Sequence, residues 1–527
     1  MNDPRRVARL SEPMLLTSCA LLSLYLLANL IGYRYGRDQG IFAVVAHAIT
    51  DGGAPYRDAW DFKTPGIYFV FVVARVVFGR TEHGVRALEA LAFASLFPAF
   101  VILARRAIGD GRAGVIAATV AIVTHVQLEF WHTAQPESFA AVAIAWALVC
   151  GTHVTDHWKK QRWIWFAMGV LYGVSALLKP TLGGGVAVSV GFILARTARR
   201  RWAMAIVEPV LGFALPIVVT LVWLARKHAL DDAGQALFVF APQYTRLSTS
   251  EHALPISFAI ACFQWATKFS LYTPVGLVAL AALPKLCPAT RTFSLHVLGV
   301  TATILFGVAL QGKFFDYHYG AALPLGALLA GLGLYKGWRY VRESIVAVAA
   351  IAIALILSRD LRTAMRSLPG SFWDRTTLRA RAAFHADERV AIEDELSTIG
   401  DVDAAKNRRL AEALRARTPS GSRVFLFGFE PSVYELAGRA PASRFIYDVP
   451  QRVPWQREQA RAQMIDELRA SSPSAIAVEH GDVFPFVTGD DRDSATTALD
   501  FPAFQAMLSE RYRLVQRDEK FDLYLAQ

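Results

Sequence analysis

Residues 14–31 read MLLTSCALLSLYLLANLI, eighteen positions without a charge. A helix of that length rises about 27 Å, close to the roughly 30 Å of hydrocarbon in a bilayer. The run follows a basic start (Arg5, Arg6, Arg9), and no small-residue cleavage pattern comes after it. It reads as an uncleaved first membrane span rather than a signal peptide. Working outward, comparable runs recur at roughly 86–104, 112–126, 136–152, 163–178, 181–196, 203–224, 270–283, 293–310, 319–335 and 343–357, the first extending over 14–33. With 54% hydrophobic and only 19% charged residues in 527, the chain is too apolar for a soluble enzyme of this length. The expected fold class is a polytopic α-helical membrane protein of about eleven spans.

The connections between these runs alternate in charge. Five short loops are basic: Arg105 to Arg112, Lys159 to Arg162, Arg196 to Arg201, Lys285 to Arg291 and Lys336 to Arg342. Cytoplasmic loops carry the excess of Lys and Arg, so these loops and the N-terminus are expected inside and the remaining loops outside. The apolar stretch Gly66 to Phe78 is about 13 residues long and contains Arg75. A crossing there would put all five basic loops outside, so it reads as an interfacial or re-entrant helix on the outer leaflet. A net charge of +11 is spread over loops rather than gathered on an aromatic-interleaved patch, which argues against a nucleic-acid partner. Cys19, Cys150, Cys262 and Cys287 lie in or beside apolar segments without a CxxC pair, and read as packing residues.

After about residue 357 the composition turns soluble. The expected division is a membrane domain over 1–357, with an outer loop and interfacial helices at 34–85, and an extracytoplasmic helical linker and α/β domain over 358–527. In that tail a polar helix is expected at about 372–416. Beyond it lie strand-like runs RVFLFGF (423–429), RFIY (444–447), AIAVE (475–479) and a closing pair, YRLVQRD and FDLYLA, with helices between them. Strands alternating with helices suggest a small α/β unit.

Three outer segments carry the candidate chemistry. The loop 34–66 holds Asp38, Tyr56, Asp58, Asp61 and Lys63 among apolar and aromatic residues. Its composition is also that of a solvated loop, but its apolar content favours packing on the membrane surface, where a carboxylate is partly desolvated and suited to act as a base. The segment 124–138 contains His125, Glu129, His132 and Glu137; its spacing is not HExxH, so it does not suggest a catalytic zinc. Glu137, in the first turn of a helix, also has the plain reading of a charge at the positive helix end. The third segment runs from Gln311 through Lys313, Asp316 and His318 to Tyr319. Lys63, Lys179, Lys268 and Lys313 all fall at outer boundaries, where lysines are scarce and a lipid phosphate needs neutralising; snorkelling is the bland alternative.

The stretch RDQGIFAVVAHAI followed by GGAPYRDAWDFKTPGIY, then Phe78-Gly79 with Arg86 beyond, resembles the GT-C glycosyltransferases related to protein O-mannosyltransferases and the lipid A aminoarabinose transferases. QPES, LLKPT and GKFFDYHYGAALP fall where that family keeps further outer-loop positions, and the resemblance covers roughly residues 14–357. It implies a sugar carried on polyprenyl phosphate and moved at the outer face, with inversion, to an envelope glycan, lipid or protein. By this resemblance Asp38 is the catalytic base and Glu137 the second acidic position, placing the acceptor or a metal. Lys63 meets the lipid phosphate, with Tyr56, Asp58, Asp61, Lys179, Gln311, Lys313 and His318 as further binding positions. The usual acidic pair is here Asp38-Gln39, and Thr64 separates Lys63 from Pro65. A divalent cation, magnesium or manganese, is a candidate cofactor, and the implied location is a bacterial plasma membrane.

No P-loop is present, and the DxD-like triplets at 401–403 and 491–493 read as surface charge. A multi-span secondary transporter and a non-catalytic envelope-polysaccharide assembly protein are the alternatives. Transporters place ionisable residues near the midplane and often show repeats, whereas the polar residues here collect at span ends.

Overall fold

The computed structural model describes residues 4–153, 158–247, 252–270, 272–281, 287–341, 368, 370–399 and 402–527. They form two compact units: Met1–Tyr33, Arg86–Thr220 and Ser250–His385 in the first, and Arg34–Val85, Leu221–Thr249 and Ala386–Gln527 in the second.

The first unit is helical. Among the described residues four helices are long and apolar enough to cross a membrane: Glu12–Ile31, Glu82–Ile108, Arg199–Arg226 and Pro288–Gln311. Shorter apolar helices include Arg112–Val126, Pro136–Gly151, Leu254–Thr267 and Tyr272–Ala281. The second long helix is broken at Ser95 into Glu82–Ala94 and Leu96–Ile108. Pro98 accounts for the break, since it has no N–H to give to the carbonyl of Ala94. Along Trp202–Arg226, Val210, Leu211, Val218 and Val219 are each more than half exposed. An apolar face of that extent is unfavourable in water and natural against lipid. The span expected at 343–357 lies outside the described residues.

Helices in this unit meet closely through small side chains. A Cβ on Gly333 would lie 1.9 Å from the carbonyl oxygen of Gly276, and a Cβ on Gly276 2.5 Å from the Cα of Ala330. The helices Tyr272–Ala281 and Leu323–Val341 therefore touch backbone to backbone, a packing that small residues allow inside a membrane. Leu254–Thr267 is a difference from the sequence reading, which placed no helix between 224 and 270; at 14 residues it is too short to register as a span.

The second unit is built on a five-stranded sheet of order β4-β3-β5-β7-β6. Its strands are β3 (Arg423–Phe427), β4 (Ala440–Pro441), β5 (Ala475–Glu479), β6 (Tyr512–Arg517) and β7 (Phe521–Ala526), while β1 (Thr398–Ile399) and β2 (Val402–Asp403) form a separate hairpin. β3 pairs parallel with β4 and β5, whereas β7 runs antiparallel to both β5 and β6. The polar helix expected over 372–416 is interrupted: Phe372–Phe384, Arg389–Glu395 and Ala404–Arg417 are separate helices, and the β1–β2 hairpin lies before the last. Asp403 caps that last helix by accepting the Lys406 N–H. RFIY, at 444–447, forms no strand.

Two segments from earlier in the chain complete this unit. The helix Arg37–Thr50 packs on Ser432–Ala437 so tightly that a Cβ on Gly40 would lie 2.7 Å from the Ser432 nitrogen. Trp60 stands against Phe240 and Tyr447, with ring centroids 4.7 and 5.6 Å away, and Phe62 lies 4.5 Å from Tyr244. Each such pair adds roughly 0.5–1.5 kcal/mol beyond area burial.

Candidate functional site

In the second unit, Asp38 occupies the first turn of Arg37–Thr50, where the helix dipole favours a carboxylate. The turn is held by Gln39, whose Oε1 accepts the Gly36 N–H at 3.0 Å. Where the resembling family carries a second acid, this chain thus carries a helix cap. Lys63 reaches across to Asp38, with Nζ 2.6 Å from Oδ1, and both side chains are about one-quarter exposed. The ammonium also lies 4.9 Å from the centre of the Phe42 ring.

Tyrosines fix the loop that carries Lys63. Tyr56, fully buried at φ 69°, donates through its hydroxyl to the Lys63 carbonyl at 2.8 Å, and Tyr68 does so at 3.0 Å. Asp61 is buried and accepts the hydroxyls of Tyr68 and Tyr447, each at 2.7 Å. Burial first, then the Asp61 charge, push the Tyr447 phenol well above its usual range, so it stays a donor. Asp58 turns away from this group, accepting the Ala54 N–H at 2.7 Å and pairing with Arg57 at 2.6 Å. Burial raises its carboxyl, but the Arg57 and Ala54 hydrogen bonds outweigh that and hold it below the usual range.

The first unit contains a second carboxylate–ammonium pair. Glu137, buried in the first turn of Pro136–Gly151, accepts from Lys179 Nζ at 2.5 Å. Its other oxygen, Oε2, is shut from solvent without a hydrogen-bond partner among the described residues. Lys179 precedes the short helix Pro180–Gly184 and lies 6.0 Å from the Tyr317 ring centre. His318 belongs to the same turn, Asp316–Tyr319, and its ring stands 4.5 Å from that of Tyr317. Gln311 ends the helix Pro288–Gln311 and gives its side-chain N–H to Gly307. The Lys313 nitrogen is shut from solvent. Among the described residues no three His, Cys, Asp or Glu side chains gather as a metal site, so no donor set for the divalent cation is found there.

Residues 62–224 match the family model of dolichyl-phosphate-mannose-protein mannosyltransferases. Across nearly the whole length, the fold resembles ArnT from Cupriavidus metallidurans bound to undecaprenyl phosphate: the TM-score is 0.60 at 16% identity, over 97% of each chain. The apo form of that protein gives the same score and identity over 98% of each chain. The chain has the GT-C fold. No curated protein sequence matches it.

Within this GT-C fold, several charged partners escaped the sequence reading. Glu129, at φ 61°, accepts from Arg375 at 2.6 Å and Arg379 at 2.5 Å, all three buried. Glu89 receives Arg86 and His125 in the same unit. Lys268 pairs with Asp316. Arg37, next to Asp38, is buried against Glu430 and lies over the Phe429 and Phe484 rings. Apart from Arg86–Glu89, three residues apart on one helix, no local pattern announces these pairs, because the partners are far apart in sequence.

Proposed function

We propose that the chain is an inverting glycosyltransferase that moves a hexosyl or pentosyl group from a polyprenyl-phosphate donor to an envelope glycan, lipid or protein. The reading includes about eleven spans in a bacterial plasma membrane, an inside N-terminus, a membrane domain over 1–357 and an outer α/β domain in 358–527. The observation that carries it is the Asp38–Lys63 pair, a base and a cation 2.6 Å apart on a half-open surface of a GT-C fold. The undecaprenyl phosphate in the ArnT structure supports a lipid phosphate as the donor's leaving group.

Without donor, Lys63 neutralises Asp38. A donor phosphate competes for the ammonium and draws it away, leaving Asp38 free to accept a proton. The acceptor oxygen then attacks the anomeric carbon as its proton passes to Asp38. The bond from that carbon to the phosphate oxygen breaks with its electron pair, and polyprenyl phosphate departs against Lys63. A positioned base contributes about 100- to 10,000-fold, and a fixed cation stabilises charge developing on the leaving group. On the first unit, Lys179, paired with Glu137 and near the Tyr317 ring, is a further cation suited to placing hydroxyls or phosphate.

Release of radiolabelled sugar from a polyprenyl-phosphate donor by purified protein tests the reading. Asp38→Asn is expected to lower turnover at least 100-fold with little change in donor binding, and Lys63→Met to weaken donor binding. Unchanged turnover in Asp38→Asn removes the proposed base, while substrate flux without transfer turns the reading to transport.

A further inference from the structure

The second unit contains a polar cavity of about 710 Å³ beyond the Asp38–Lys63 pair. One wall is the end of the helix Arg37–Thr50 and the loop after it; the others are the edge strand β4 and the end of the helix Arg457–Ser471. The volume lies within the range of small-molecule sites, roughly 300–1,000 Å³.

Its lining is unusual for such a site. Arg57, Arg423 and Arg444 line it together with Asp51, Asp58 and Glu467, so these formal charges cancel, and His47 lies among them. No Phe, Tyr or Trp lines it, and its apolar residues are small, Val44, Pro441 and alanines, a wall that suits a long isoprenoid tail poorly. An anion would meet the three carboxylates, and a cation the three guanidiniums. Hydroxyl groups suit both, since each donates to a carboxylate and accepts from a guanidinium. Two lining groups, Arg444 Nε and Ser471 Oγ, are shut from solvent without hydrogen-bond partners among the described residues.

We propose that this cavity binds a neutral, polyhydroxylated saccharide segment, which in the transferase is the glycan part of the acceptor. The second half of that statement rests on the function proposed above; the first does not. Arg444 joins the cavity to the pair: it donates to the Tyr56 carbonyl, Tyr56 donates to the Lys63 carbonyl, and Lys63 holds Asp38. The same loop therefore feels the cavity's occupant and carries the phosphate-binding cation.

The test uses the full chain in lipid nanodiscs, free of sugar-headed detergent, with three trisaccharides as probes: neutral maltotriose, anionic trigalacturonate and cationic triglucosamine. Equilibrium dialysis is expected to show saturable binding of maltotriose at least tenfold tighter than of the charged trimers. Ala440→Trp and Ala470→Trp fill the cavity from two walls, and each is expected to weaken that binding at least tenfold at an unchanged thermal midpoint. Both alanines are at least partly exposed, so if one variant fails to fold the other decides. Asp38→Asn should retain maltotriose binding while losing transfer. No saturable maltotriose binding, equal binding of a charged trimer, or unchanged binding in a folded tryptophan variant overturns the proposal and leaves the transferase reading standing. Absence of transfer by the parent protein overturns that reading and leaves the saccharide cavity standing, whereas intact transfer in Asp38→Asn removes only the proposed base.

Discussion

Asp61 shows how little of a site a single sequence exposes. Its two hydroxyl donors are Tyr68, seven residues on, and Tyr447, 386 residues away. The nearby partner falls inside the motif already singled out, whereas nothing around Tyr447 marks it. Hydrogen bonds to a buried charge contribute roughly 1.5–3 kcal/mol each, so Tyr447→Phe should destabilise the second unit by about that amount. Urea-dependent proteolysis of the tail reads the change, and an unaltered urea midpoint argues against the bond. Asp482 behaves differently. It is buried beside Asp448, Arg452 and Ser494, and burial, then the Asp448 charge, push its carboxyl up to about 6. An unfolded Asp releases its proton near 3.9, so between about pH 4 and 6 the folded state holds a proton that the unfolded state has lost. Stability from this group is therefore fully present below pH 4 and lost as pH rises through 6. In Asp482→Asn that decline should disappear from the pH profile of the tail's urea midpoint; a profile parallel to the parent's excludes Asp482 as its source.

At the scale of elements, what could be read were long apolar runs and strands with clear flanks. Helices at Pro4–Ile31, Trp202–Arg226 and Pro288–Gln311 stand where uncharged runs predicted them, and β3, β5, β6 and β7 where short apolar or alternating runs did. Leu254–Thr267 went unseen because a 14-residue apolar helix falls below the length that marks a span. The interruption of 372–416 was hidden because helix-forming residues on both sides of the β1–β2 hairpin mask it. Gln39 was legible as a missing acid but not as a cap, which depends on the turn Gly36 makes. Helix contacts were not legible either, since a glycine in a span reads the same whether it faces lipid or a neighbour. Gly333 faces Gly276 with no room for a methyl group. Gly333→Ala must push the two helices apart, and overpacking of this kind costs about 1–3 kcal/mol. The thermal midpoint in nanodiscs should fall accordingly, while Gly191→Ala, where a Cβ meets nothing within 4 Å, serves as the control.

For the whole molecule, the open question set by the unforeseen helix is which way the chain faces after it. If Leu254–Thr267 crossed the membrane by itself, every later loop would change sides and the basic segments 285–291 and 336–342 would face outward, against the charge rule. Contacts within the first unit argue for a single crossing. Lys268 pairs with Asp316, and Trp265 donates to the Ala322 carbonyl at 3.0 Å, so the end of Leu254–Thr267 meets the start of Leu323–Val341. Phe258, near its other end, lies against Phe306, only five residues before Gln311. Both ends of this helix therefore keep to the side where Pro288–Gln311 finishes. From there Tyr272–Ala281 descends parallel to Leu323–Val341, Gly276 meeting Ala330 and Ala279 meeting Gly337. Residue 252 should accordingly face outward and Cys287 inward. The Cys287 thiol is exposed and held below its usual pKa chiefly by a hydrogen bond with Thr290, so it is a ready native reporter. In intact cells a membrane-impermeant maleimide should modify His252→Cys and Asp51→Cys, each in a background lacking the native cysteines. It should reach Cys287 only after permeabilisation. Labelling of His252→Cys and Cys287 from the same side would mean a second crossing between them, and with it the loss of the outward-facing loop at 311–319 that the proposed reaction uses.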